Sequence, residues 1–122
     1  MTTLLTLEDL LGLVGDLRVG PVRDLGLLAS AAHRPGVRLF GVDAYPSLDL
    51  KAAALLQSIV GNHPLVDGNK RLGWLATVVF YGLNRVDLQA PDDEAFDAVM
   101  RVAGGAHELE GIAATLGTWH GH

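Results

Sequence analysis

Nine consecutive residues, His63-Pro64-Leu65-Val66-Asp67-Gly68-Asn69-Lys70-Arg71, gather a histidine, a carboxylate, an amide and two cations around a glycine. They lie where one apolar segment ends and the most apolar segment of the chain begins. A helix N-terminus presents free backbone N–H groups and the positive end of the helix dipole, so it attracts anions. Gly68 can adopt positive φ or let the backbone come close to a ligand. Asn69 can cap the helix and donate to an oxygen. Lys70 and Arg71 add two positive charges, of which the guanidinium can grip phosphate oxygens bidentately. Asp67 is out of place beside a phosphate unless it holds a magnesium ion shared with that phosphate. His63 can accept a proton near neutral pH. The set is therefore a phosphate cradle (Gly68, Asn69, Lys70, Arg71), a metal ligand (Asp67) and a base (His63), which are the parts phosphoryl-group transfer requires. Read without such a ligand, Lys70 and Arg71 are a solvated helix start, but two cations there oppose the dipole.

The elements that would position this loop follow from apolar spacing and punctuation. Thr6-Leu7-Glu8-Asp9 resembles a capping box, and Leu7, Leu10, Leu11, Val14 and Leu17 continue it at helical spacing until Gly20-Pro21. Asp24 can cap a second helix carrying Leu27, Leu28, Ala31 and Ala32, stopped by Arg34-Pro35-Gly36. Residues 36–46 read as a loop with a short extended piece near Val37 to Phe40. Ser47 or Asp49 can cap a third helix with Ala52, Leu55, Leu56, Ile59 and Val60 inside; it ends near Gly61-Asn62. Pro64 pushes His63 out of helical geometry. A fourth helix from Asn69 carries Leu72, Leu75, Ala76, Val79, Phe80 and Leu83, is apolar nearly all round and so is placed centrally, with Asn84 closing it in the left-handed conformation. Pro91-Asp92-Asp93-Glu94 opens a fifth helix with Ala95, Phe96, Val99, Met100 and Ala103 inward, stopped at Gly104-Gly105. A sixth runs from about His107 to Leu116. The expected fold is a single all-α domain over residues 1–122, a compact bundle of about six helices around a central buried helix. His33 and Arg34 are placed at the surface, Trp74, Phe80 and Tyr81 in the core or an interface, and the tail Thr118-Trp119-His120-Gly121-His122 is read as frayed. His107, His120 and His122 have no ligand-like spacing.

Composition narrows the field. With 122 residues, 49% hydrophobic, there is material for one real core. The absence of cysteine excludes a disulfide scaffold, a thiol nucleophile and a Cys-based zinc site, and fits a reducing compartment. The N-terminus lacks a basic stretch ahead of its apolar residues, and no apolar run approaches the roughly 18 residues of a membrane span. The expected location is the cytoplasm. A net charge of −5, with dispersed Lys and Arg, argues against direct nucleic-acid binding.

The loop resembles the Fic/Doc signature H-P-F-x-[DE]-G-N-[GK]-R, in its Doc-like form with Lys after Asn. Arg23-Asp24-Leu25-Gly26-Leu27-Leu28 followed by Arg34-Pro35 resembles the family's N-terminal segment. Phe40-Gly41, Tyr45-Pro46 and Lys51-Ala52-Ala53 resemble its middle, and Leu83-Asn84 with the acidic opening after Pro91 its end. The resemblance implies that His63 deprotonates a target hydroxyl, Asp67 binds magnesium or orients the nucleotide, Gly68 and Asn69 form the anion hole, and Lys70 and Arg71 hold phosphates. It implies ATP and Mg2+ as cofactors, and a toxin of a toxin–antitoxin pair that phosphorylates a translation factor, elongation factor Tu, and so arrests growth. AMP transfer of the Fic type and a silent nucleotide- or partner-binding module are the alternatives. The implied partner is an antitoxin whose helical tail lies in a groove of the toxin, placed on the exposed side of the first two helices. Three positions depart from the pattern. Leu65 replaces an inward Phe, Leu72-Gly73 replaces Thr-Ala, and Trp74 stands where AMP-transferring members carry a second Arg. The last favours phosphate over AMP transfer. Gly73 costs about 1 kcal/mol against Ala inside a helix, so close helix or ligand approach is expected there.

Overall fold

A computed structural model describes residues 1–105 and 108–121. Six helices follow one another: α1 (Leu7–Leu17), α2 (Leu25–His33), α3 (Leu48–Asn62), α4 (Asn69–Leu83), α5 (Asp92–Ala103) and α6 (Leu109–Gly117). Between α2 and α3 lie a 3-10 turn, Arg34–Gly36, and a two-stranded antiparallel ribbon, β1 (Arg38–Leu39) and β2 (Val42–Asp43), registered Arg38 on Asp43 and Leu39 on Val42. The protein is thus the expected helical bundle, with the extended piece folded into a small hairpin. Among the described residues no helix is long and apolar enough to cross a membrane.

Local chemistry sets the helix starts. Thr6 and Asp9 exchange the two bonds of a capping box, and Asp24 and Ser47 accept from the amides of Leu27 and Leu50. Each such cap is worth about 1 kcal/mol. The bundle centres on α3, against which α2, α4, α5 and α6 all pack. Ala52, Ala53 and Ala54 are fully buried there and let the neighbours approach closely. α4 runs beside α3 rather than at the centre: Leu72, Ala76 and Phe80 are fully buried, but Leu83 is exposed.

Several expectations give way to the packing. Asn84 is not left-handed; the following residue Arg85 takes that conformation (φ 65), while the Asn84 side chain bonds to Phe80 and to the backbone of Thr3. Phe96 and Met100 of α5 face outward, 65% and 44% exposed; Ala95, Ala98, Val99 and Val102 form the buried stripe instead. Arg34 is half-buried, not at the surface. Its guanidinium donates to Tyr45 Oη, Ala54 O, Gln57 Oε1 and Ser58 Oγ, tying the 3-10 turn to α3. The tail is docked: Trp119 is buried, its carbonyl accepts from Gln89 N, and His120 Nε2 lies 2.6 Å from Asp49 Oδ1. The expected start of the last helix at His107 lies outside the described residues, as does His122; α6 is seen from Leu109.

Candidate active site

The loop between α3 and α4 owes its shape to two left-handed residues. His63 is the C-cap of α3, at φ 53 and ψ 61, where the helix ends ahead of Pro64. Gly68 is the N-cap of α4, at φ 91. A side chain at Gly68 would strike Val19, so the position needs glycine both for its backbone angle and for this close approach. The contact that glycine permits is thus with the α1–α2 connection.

That connection is the loop's support. Gly20 N donates to Asp67 O (3.0 Å), Val66 N to Pro21 O (2.9 Å), and Arg23 N and Asp24 N to Pro64 O (2.7 and 3.0 Å). Val22 and Leu65 form an isolated antiparallel bridge. Residues 64–67 therefore lie along residues 20–24 as an irregular ribbon, and Leu65 fills the interior at 1% exposure, the anchor role expected of the family's Phe. Nothing in the apolar periodicity of residues 18–24 signals this; the Arg23-Asp24 segment marks the family resemblance and the α2 cap, but neither signal says that it supports the loop.

Of the roles expected of Asn69, the cap falls to Gly68, and Asn69 is the first residue of α4. Its Oδ1 accepts from Leu65 N and its Nδ2 donates to Leu65 O, both at 2.9 Å, which closes the loop internally. The main chain leaves donors free at the same turn. The first backbone bond of α4 runs from Leu72 N to Gly68 O, so the N–H groups of Asn69, Lys70 and Arg71 precede it without intrahelical acceptors. Lys70 and Arg71 occupy this same turn, both exposed, and among the described residues neither has an ion-pair partner. Two unpaired cations sit on the positive end of a 15-residue helix, an arrangement that a bound anion would stabilise.

Asp67 and His63 are both exposed, four and eight residues before Arg71 in the chain. The described residues contain no cluster of three His, Cys, Asp or Glu side chains able to hold a metal. That donor set does not suit a resident cage, but one free carboxylate suits magnesium, which keeps most of its waters and is shared with substrate phosphates.

From Lys70 and Arg71 a groove of about 570 Å³ extends between α4 and α5, with Leu17 of α1 at one side. Trp74, Phe96 and Met100 line it, which explains why two large apolar residues of α5 face outward. Trp74 packs edge-on against Trp119, ring centroids 5.9 Å apart. Gly73 faces the other way, into α3: a Cβ there would stand 2.5 Å from Val60 Cγ2. Of the two expected explanations for this glycine, helix contact is the one observed.

A helical bundle that displays this His-to-Arg loop between its two best-packed helices defines a Fic/Doc protein. The chain belongs to that family, matching the Fic/DOC family over residues 2–81. It is similar to Toxin Doc of Mycolicibacterium smegmatis, 48% identical over 121 residues, covering 95% of this chain and 92% of that protein.

Proposed function

We propose that this protein is the toxin of a toxin–antitoxin pair and transfers the terminal phosphate of ATP to a hydroxyl of a translation factor, with elongation factor Tu as the first candidate. The observation that carries the reading is the α4 terminus, where free amides and the unpaired Lys70 and Arg71 stand in one loop with His63. The likeness to Toxin Doc supports the toxin role. His63 takes the proton of the attacking hydroxyl. The hydroxyl oxygen bonds to the γ-phosphorus as the bond to the leaving oxygen breaks, and ADP departs with that electron pair. The amides of Asn69, Lys70 and Arg71, with the two side-chain cations, hold the phosphates and stabilise the charge on the transferring group. Magnesium held by Asp67 would supply further charge neutralisation when bound.

AMP transfer is the second reading, and Trp74 disfavours it. Its ring packs on Trp119 and offers no phosphate ligand where AMP-transferring relatives are expected to carry an arginine. For the cognate antitoxin, the groove between α4 and α5 replaces the exposed side of the first two helices as the proposed seat, because the apolar lining lies there. A helical segment with an apolar face would cover Trp74, Phe96 and Met100 and lie beside Lys70 and Arg71, blocking the phosphate site.

The test is intact-mass spectrometry of elongation factor Tu after incubation with the protein, ATP and magnesium, with His63→Ala alongside. A gain of about 80 Da that needs His63 is the expected result of phosphoryl transfer. A gain equal to AMP would replace the reading with nucleotidyl transfer. An unmodified factor, with no labelled protein in a lysate given γ-labelled ATP, would leave a binding module.

A further inference from the structure

His63 holds an unfavourable backbone conformation at the end of a helix whose last carbonyls have no intrahelical partners. One side chain addresses both problems. Arg23 Nε donates to His63 O at 2.8 Å, and Arg23 Nη2 donates to Asn62 O at 3.1 Å. The guanidinium thus bridges the two terminal carbonyls of α3, at the negative end of the helix dipole, from a residue forty positions earlier. The same residue's amide holds Pro64 O at 2.7 Å, so Arg23 grips three successive carbonyls, those of Asn62, His63 and Pro64. No other side chain among the described residues hydrogen-bonds to the His63 backbone. A guanidinium fork can satisfy two carbonyls at once; an ammonium on a flexible stem fixes them less well.

We infer that Arg23 is a positioning residue for His63: its side chain locks the left-handed backbone from which the imidazole projects, and the reaction depends on it without its touching substrate. This rests on the reading of His63 as the base. The consequence for rate follows from geometry, since a misplacement on the order of 1 Å at a catalytic group can cost up to about 100-fold.

The experiment uses the full chain and the variants Arg23→Ala and Arg23→Lys, with two readouts. The first is NMR of the His63 backbone, whose HN–Hα coupling and carbon shifts report the left-handed angle and need no knowledge of the reaction. The second is the transfer rate under saturating ATP. Arg23→Ala is expected to keep the helical circular dichroism of the parent, to lose the left-handed signature at His63, and to lower kcat by at least about tenfold with KM for ATP little changed. Arg23→Lys is expected to fall between. Added guanidinium ion at millimolar concentration is expected to restore part of the Arg23→Ala rate and none of a His63→Ala rate. Retention of both the His63 signature and kcat in Arg23→Ala overturns the inference, as does equal loss of rate in the two Arg23 variants without rescue. Should Arg23→Ala fail to fold, Arg23→Lys with the same readouts decides: an unchanged His63 signature and rate overturn it. If the parent transfers no phosphate to any protein but Arg23→Ala loses the His63 signature, the functional reading fails while the positioning of His63 by Arg23 stands.

Discussion

Gly68 shows how much one residue of the loop carries. Its φ of 91 is one that a residue with a side chain adopts at a cost of about 1–2 kcal/mol, and Val19 stands where a Cβ would go. Overpacking of this kind adds about 1–3 kcal/mol. Gly68→Ala is therefore expected to lower Tm by roughly 10 °C in a thermal scan. Val19→Ala in the same chain removes Cγ1 but keeps the equally close Cβ, so it should recover only a fraction of the steric part and none of the backbone part. A Gly68→Ala protein as stable as the parent would mean that the loop can move away from the α1–α2 connection. The residue types of the loop were legible in the sequence because their chemistry is local: a glycine, two cations and a histidine at a helix junction imply an anion site without knowledge of the fold. The use of Asn69 was not. An asparagine beside a helix start suits a cap, a ligand contact or a loop clasp equally, and the choice of the clasp depends on Leu65 being drawn into the core, which only tertiary packing decides.

At the scale of elements, the seam between α3 and α4 sets the loop's foundation. Gly73 and the alanines of α3 bring the two helices close, with Val60, Leu56 and Ile59 against the missing side chain. Gly73→Ala gains about 1 kcal/mol of helix propensity but must displace Val60, at about 1–3 kcal/mol. A net loss is expected in urea unfolding, and Val60→Ala should relieve it. The double-mutant cycle is expected to show coupling of about 1 kcal/mol or more; strict additivity would exclude the contact as the reason for glycine. Helix number and most helix starts could be read from capping residues and apolar spacing, because those signals act within one turn. The faces of α5 could not. Its apolar residues occupy two stripes, Ala95, Ala98, Val99 and Val102 inward and Phe96 and Met100 toward the groove, and periodicity does not say which stripe meets α3 and which meets solvent.

The whole molecule is closed by its tail. Asp49, at the start of α3, accepts from the Tyr81 hydroxyl at 2.6 Å and faces His120 at the same distance, so α3, α4 and the last described residues meet at one carboxylate. Burial, and then the bond to Asp49 and its charge, push the Tyr81 phenol well above its usual 10.0. The neutral phenol is thus favoured in the folded state. Above a pH of about 10 the unfolded chain loses this proton while the folded one keeps it, so ν_U falls below ν_N and stability declines as pH rises; below that pH the contribution is fully present. Tyr81→Phe is expected to flatten this alkaline decline in denaturant titrations between about pH 9 and 11. An unchanged slope would place the titrating group elsewhere. The docked tail was the least legible part of the sequence. Four polar or small residues around one tryptophan give no periodic signal, and the tail's partners, Asp49, Trp74 and Gln89, are distant in sequence.

The chain has two tryptophans, and they touch each other at the wall of the groove. Its tryptophan emission therefore arises from one place, beside the helix terminus that carries Lys70 and Arg71. A ligand or helix entering the groove changes the surroundings of Trp74 directly and those of Trp119 through it. The protein carries its own optical gauge of that surface, needing no dye and no substitution, and the same pair gives the near-ultraviolet dichroism a handle on whether the tail is seated.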